Sequence, residues 1–520
     1  MTAEATPRPS AGDRPVVDTT SGPVRGVDDG IVQSWKAIPY AAAPVGELRW
    51  RAPEPPQAWK EPFDAGRVGP VCPQPTDPKI PLDLGAPQGE DFLSLNVWAP
   101  SGTEPGDGKP VMVWVHGGAY VLGSASQPLY HGRALATFGD VVVVTVNYRL
   151  GALGFLEVGA FDDSGRFASN RGLRDVLAAL AWVRDNIAAF GGDPGRVTLF
   201  GESAGGGIVT SLLASPDAAG LFHAAIAQSA PATSIYDVGR ARRVAQRFLD
   251  VLGVSRDELS RLADAPTTSL VEATRTVFNE VPVRTPGTLA FAPTVDGDLV
   301  PDYPVNLARN GKTHPVPLII GTNKNEAALF RYMKSPLMPI APESIRAMFA
   351  EITAEQPSLQ LPSEDHLRGT YRGRGKSAGL GLTSDLGFRM PSIWFADGHR
   401  ALAPVYLYRF DFATPLLRLV RLHGAHATEL PFVWGNLGSG RKDPTFALGG
   451  RTVGTAVSQR MRSRWTNFAA HGEPSAPGGP AWRPYAGDRA TLVIDKHDSV
   501  VADLDAPVRR AWGDDVLSFL

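Results

Sequence analysis

The chain has 520 residues, 43% hydrophobic and 20% charged, which supplies a large core and excludes a disordered or fibrous protein. A formal charge of −2, with no long block of one sign, argues against a nucleic-acid partner or an anionic membrane surface. No segment approaches the roughly 20 apolar residues that span a bilayer, and Met1 to Pro15 lacks the apolar run of a signal peptide, so no membrane partner and a cytoplasmic location are expected.

From the N-terminus, residues 1–15 read as a flexible tail and residues 16–520 as a single elaborated domain. Between Val16 and Trp35, short β-prone runs alternate with the turn signals Ser21-Gly22 and Asp29-Gly30, which predicts a small antiparallel sheet. Tyr40 to Pro87 is dense in Pro and Gly and predicts a long irregular stretch packed on the core. The only cysteine, Cys72, has no internal disulfide partner, which fits a reducing compartment.

The runs at 111–115 and 141–146 are apolar and β-branched without alternation, as expected of strands buried on both faces. Leu173, Val176, Leu177, Leu180, Val183 and Ile187 then recur at helical spacing, and Gly191-Gly192 ends that helix. A strand at 197–200, a helix at 204–213 and a strand at 224–227 follow. The basic run Arg240-Ala241-Arg242-Arg243 falls in a predicted helix and reads as a solvated face. Further strands are expected at 317–320, 405–408 and 491–494. Strand–helix alternation predicts a large, mostly parallel central sheet flanked by helices, with long loop insertions. Core strands are scattered from Val111 to Ile494, so no point divides the chain into two self-sufficient halves.

Gly201-Glu202-Ser203-Ala204-Gly205 fits G-x-S-x-G directly between a predicted strand and a predicted helix. Small flanking residues permit the tight turn that lifts a serine hydroxyl out of the sheet, and the helix N-terminus aims N–H groups at developing negative charge. The competing reading is a glycine-rich turn in which Ser203 only caps the helix. A second motif, His116-Gly117-Gly118-Ala119-Tyr120, ends a predicted buried strand upstream and reads as an oxyanion loop. Its donors would be the backbone N–H groups of Gly118 and Ala119, with Ala204 as the third. His116 itself reads as a structural hydrogen-bonding residue. Together these define an α/β-hydrolase fold with Ser203 as nucleophile.

With those motifs in place, the chain resembles the type-B carboxylesterase family, which includes bacterial para-nitrobenzyl esterases and the cholinesterases. The resemblance spans nearly the whole sequence. It rests also on Ile38-Pro39-Tyr40-Ala41, Leu48-Arg49-Trp50, Glu90-Asp91, the stretches 95–98, 147–150, 170–175 and 190–194, and Gln228-Ser229. It implies a carboxylic ester hydrolase acting on small-molecule esters, without metal or organic cofactor. It implies Glu326 as triad acid and His426 as triad histidine, and polar supporting roles for Glu202, Ser229 and Glu429. The family disulfide that would use Cys72 is excluded, since Phe92 stands where the partner cysteine would be.

The residues themselves leave His423 as a rival to His426, and His423-x-x-His426 as a possible metal pair, although no H-E-x-x-H motif or third ligand accompanies it. Glu326 follows the apolar run ending at Gly321, on a loop beyond a strand's carboxyl end, whereas Asp296 and Asp302 fall in turn-forming sequence. Gly373-Arg374-Gly375-Lys376-Ser377 imitates the end of a phosphate-binding loop but lacks its first glycine. Tyr120, Phe291, Trp394 and Trp434 are candidates to border an apolar pocket, or plain core. An amidase, lipase or thioesterase with the same triad, or a binding module on the same fold, are the alternatives; the oligomeric state is open.

Overall fold

A strand whose residues are apolar on both sides must be covered on both sides, and the 111–115 run is: all five residues have no measurable exposure. Val111, Val113 and Val115 face one hydrophobic core, while Met112 and Trp114 face a second on the opposite side of the sheet. The computed structural model describes residues 14–76, 82–162, 164–359, 361–371, 376–438 and 444–519.

The main sheet has eleven strands among the described residues. Its centre is a parallel run in the spatial order Ala490–Ile494, Val405–Phe410, Leu318–Asn323, Ala224–Gln228, Gly192–Glu202, Lys109–Val115 and Val142–Val146. Antiparallel strands flank it: Ser499–Ala502 at one edge, and Ser94–Pro100, Val32–Pro39 and Val27–Asp28 at the other. The Gly192–Glu202 strand is longer than the predicted 197–200.

The N-terminal sheet differs in detail from expectation. Val16–Thr19 and Gly22–Arg25 form the antiparallel pair, but the third strand, Phe63–Asp64, joins in parallel, and Val32–Pro39 extends the main sheet instead. Sequence alternation sets strand and turn positions, whereas the choice of partner depends on tertiary packing. The tail expected at residues 1–15 lies, up to residue 13, outside the described residues, as do most of the phosphate-loop imitation at 373–377 and its side chains.

The helix predicted around Leu173 spans Arg171–Asn186 and buries Leu173, Val176, Leu180 and Val183. A 3₁₀ turn, Ile187–Phe190, extends it, and Gly191 closes it in the left-handed conformation, φ 79°. The basic run in the Val238–Leu252 helix is a correction. Arg242 and Arg243 are exposed, but Arg240 is buried, bonded to Glu355, and lies 5.2 and 5.1 Å from the ring centres of Tyr236 and Phe519. Helix periodicity alone does not reveal a partner that arrives from the distant Pro342–Glu355 helix.

Two of the motif stretches meet in the core as an ion pair. Arg149 Nη2 and Nε donate to the two carboxylate oxygens of Asp175 at 2.6 and 2.8 Å, and the Arg149 backbone N–H adds a third bond at 2.9 Å. Neither side chain is more than 1% exposed. Removing one partner leaves the other charge buried and unpaired, at a cost of about 3–5 kcal/mol. Asp175→Ala is therefore expected to lower the urea midpoint of unfolding by an amount corresponding to several kcal/mol; an unchanged midpoint would contradict this.

Candidate active site

The carboxyl ends of five neighbouring parallel strands supply the site. The Gly192–Glu202 strand runs directly into the turn at Ser203, whose backbone angles, φ 56° and ψ −124°, lie in a region few side-chain-bearing residues adopt. The Ser203 N–H is held by the Gln228 carbonyl at 2.9 Å. The Ala204–Leu213 helix begins at once, so the Ser203 hydroxyl sits at its positive end. Gly205 is required for packing, since a Cβ there would lie 2.1 Å from the Val115 carbonyl oxygen.

Ser203 Oγ lies 2.8 Å from His426 Nε2, and His426 Nδ1 lies 2.7 Å from Glu326 Oε2. The two bonds assign the tautomer: Nδ1–H donates to the carboxylate and Nε2 accepts from the hydroxyl. Glu326 follows the Leu318–Asn323 strand and is 1% exposed. Its other oxygen accepts from Ser229 Oγ at 2.7 Å and from the Asn323 N–H at 2.6 Å, which fixes the carboxylate plane. His426 stands on the loop beyond the Val405–Phe410 strand.

The predicted supporting carboxylates lie beside this chain of bonds. Glu202 Oε1 is 3.2 Å from His426 Nε2 and has no other partner among the described residues. Glu429 lies deeper, accepting from Gln228 Nε2 at 3.0 Å and from Asn323 Nδ2. Trp465 Nε1 holds Gln228 Oε1 at 3.0 Å and completes the network. Burial opposes charge on His426, Glu202 and Glu429. It would lower the pKa of His426, but Glu202 and then Glu326 outweigh it and raise it above the ordinary imidazole value. Burial likewise pushes Glu202 up to about 8, against the pull of His426, and raises Glu429.

The loop after the Lys109–Val115 strand faces Ser203. Gly118 has φ 119°, and a Cβ there would lie 2.0 Å from the Leu122 carbonyl oxygen, so only glycine fits. Ala119 is left-handed, φ 52°. Among the described residues no acceptor takes the N–H of Gly118, Ala119 or Ala204. His116 is buried, stacked 4.5 Å from the ring centre of Tyr148, and pulled down to about 4 by burial, the state of a neutral structural imidazole.

The remaining candidates separate clearly. His423 is exposed and bonds neither Ser203 nor Glu326, and no group of three His, Cys, Asp or Glu gathers as a metal site among the described residues. Asp296 accepts from Asn170 Nδ2 and from the backbone of Asp298 and Val300, and Asp302 from Tyr303, so both are spent on local structure. Tyr120, Phe291, Trp394 and Trp434 are fully buried core residues; Trp434 packs on Trp114 and Phe200. Cys72 is buried, and burial pushes its thiol well above the ordinary range. Two neighbours escape the sequence reading: Phe330 and Phe388, whose ring centres lie 5.3 and 4.6 Å from that of His426. Phe330 sits one helical turn beyond Glu326, a spacing that could have been noticed; Phe388 arrives on a π-helical turn, Asp385–Arg389, with no local signature.

A hydroxyl on a strand-to-helix elbow, bonded through an imidazole to a carboxylate at the carboxyl edge of a parallel sheet, defines an α/β-hydrolase. The chain matches the carboxylesterase family over residues 13–509. It is 37% identical over 502 residues to the para-nitrobenzyl esterase of Bacillus subtilis (strain 168), covering 95% of this chain and 98% of that one. It is 34% identical to an acylcarnitine hydrolase of Mus musculus, covering 92% and 86%. Among solved structures, a carboxylesterase of Geobacillus stearothermophilus superposes with a TM-score of 0.83 at 36% identity, covering 96% of this chain and all of that one. The chain belongs to the carboxylesterase family and is a serine carboxylic ester hydrolase of small-molecule esters. None of its described helices is long and apolar enough to cross a membrane.

Glu202 makes the largest favourable contribution to the imidazolium of His426. Glu202→Gln removes that charge, so the His426 pKa falls and its imidazole stays neutral to lower pH. The acidic limb of the kcat/KM profile for a neutral ester is expected to move to lower pH. A limb that stays in place or moves upward would contradict the assignment.

Proposed function

We propose that Ser203, His426 and Glu326 are the catalytic triad of this esterase, with the N–H groups of Gly118, Ala119 and Ala204 as the oxyanion hole. The observation that carries the reading is the unbroken pair of bonds, 2.8 and 2.7 Å, from the Ser203 hydroxyl through His426 to a carboxylate locked by two further donors. Neutral His426 takes the Ser203 proton as Oγ attacks the ester carbonyl, and the three N–H groups receive the negative charge that forms on the carbonyl oxygen. His426 then gives its proton to the departing alcohol, leaving an acyl-serine. Water, deprotonated by His426, repeats the attack; Ser203 recovers its proton and the carboxylic acid leaves. Glu326 holds the Nδ1–H tautomer throughout and stabilises the transient imidazolium together with Glu202. Every proton is accounted for within the triad, the water and the substrate.

We also propose that residues 16–520 act as one domain, supported by a sheet that draws strands from Val27 to Ala502. A cytoplasmic location is inferred, supported by the single buried thiol of Cys72.

Glu326→Gln keeps the shape but loses the charge that orients the imidazole. It is expected to lower kcat by roughly 10³- to 10⁴-fold with a much smaller change in KM. Asp296→Asn and Asp302→Asn are expected to leave kcat near that of the unaltered enzyme. Near-normal kcat in folded Glu326→Gln, or a large selective loss in either aspartate variant, would overturn the assignment. A graded panel of acyl and alcohol esters, with matched amides and thioesters, would define the substrate preference.

A further inference from the structure

Beyond the triad, the loops that carry Glu326 and His426 turn outward to wall a cleft of about 730 Å³. Its lining includes Lys324, Asn325, Arg331, Arg418, Arg421 and His423, with Tyr371 and Ser384, and among the described residues no carboxylate. Lys324 is neutralised by Asp411 at 2.8 Å. Arg331, Arg418 and Arg421 have no acid within 4 Å among the described residues. Among the described residues the Arg331 guanidinium donates only to the Arg421 carbonyl oxygen, at 3.4 Å. The Asn325 N–H donates to the Gly424 carbonyl at 2.8 Å and ties the two loops together.

Three guanidinium groups that line one cleft, with no acid within 4 Å among the described residues, repel one another, in a chain whose overall charge is −2. A concave wall focuses such a field and favours a multiply charged anion. Guanidinium donors suit the geometry of phosphate oxygens, and the Ser384 hydroxyl, which accepts from the Ala327 N–H, keeps its own proton to donate. Beside the arginines in sequence stand Leu419 and Tyr332, 70% and 68% exposed, and Arg331, Arg418 and Arg421 are themselves exposed to solvent. We propose that this cleft is a binding site for a phosphate monoester or diester group, distinct from the ester-hydrolysing centre. The group comes either from a free phosphate compound or from the headgroup of an anionic lipid.

The test uses the full-length protein and two probes. Inorganic pyrophosphate is titrated calorimetrically, and vesicles of phosphatidylcholine with and without phosphatidylglycerol are assayed by co-sedimentation. Saturable binding of pyrophosphate assigns the cleft to a free phosphate compound; binding confined to the phosphatidylglycerol vesicles assigns it to a headgroup. In either case binding should weaken with added salt. It should fall at least tenfold in Arg418→Ala/Arg421→Ala, and also in Arg331→Ala. Hydrolysis of para-nitrophenyl acetate without probe should be unchanged in both variants, which shows that they are folded. Absence of saturable binding to either probe, or equal binding by the folded variants, would overturn the proposal.

Discussion

The backbone turn at Ser203 is the constraint on which the rest of the structure depends. A non-glycine residue at φ 56° and ψ −124° is strained by about 1–3 kcal/mol and persists only where its surroundings leave no alternative. Here the preceding strand is locked between Lys109–Val115 and Ala224–Gln228, and the following helix lies against the Val115 carbonyl at a distance that excludes any side chain at Gly205. The strain is thus balanced by sheet pairing and close packing on both sides. Because the neighbouring strands are parallel, their carboxyl ends reach the same edge. The loop that carries Gly118 and Ala119, Ser229, Glu326 and the His426 loop therefore converge around one hydroxyl.

Electrostatics add a second layer. Three carboxylates, Glu202, Glu326 and Glu429, are buried around a single imidazole, and the low dielectric makes each unpaired charge expensive. The structure answers with donors: Ser229 and Asn323 for Glu326, and Gln228 and the Asn323 side chain for Glu429. Among the described residues Glu202 has only His426, which is why burial raises its pKa against the pull of the imidazole. In the proposed cycle such an arrangement favours the imidazolium that forms as the Ser203 proton is removed, without reorganisation at the moment of reaction.

What could be read from the sequence follows from how local the cause is. The elbow at 201–205, the Gly118 loop and the Arg171–Asn186 helix were legible because backbone sterics or helical period dictate them within a few residues. Glu326 was separable from Asp296 and Asp302 because strand ends and turn signals are local too. The partners of side chains were less legible. Arg240 looked like a solvated cation and is buried against residues more than a hundred positions away. Phe388 reaches His426 through a π-helical turn that no composition announces. The strand Phe63–Asp64 pairs with Gly22–Arg25 across an irregular segment whose course depends on the assembled core.

The account turns on the reactivity of one hydroxyl. The most direct measurement is to treat the protein with a fluorophosphonate and locate the adduct by peptide mass spectrometry. The account predicts stoichiometric loss of esterase activity, one adduct per chain on Ser203, and no adduct in folded Ser203→Ala. Labelling elsewhere with loss of activity, or undiminished labelling of the Ser203→Ala protein, would contradict it.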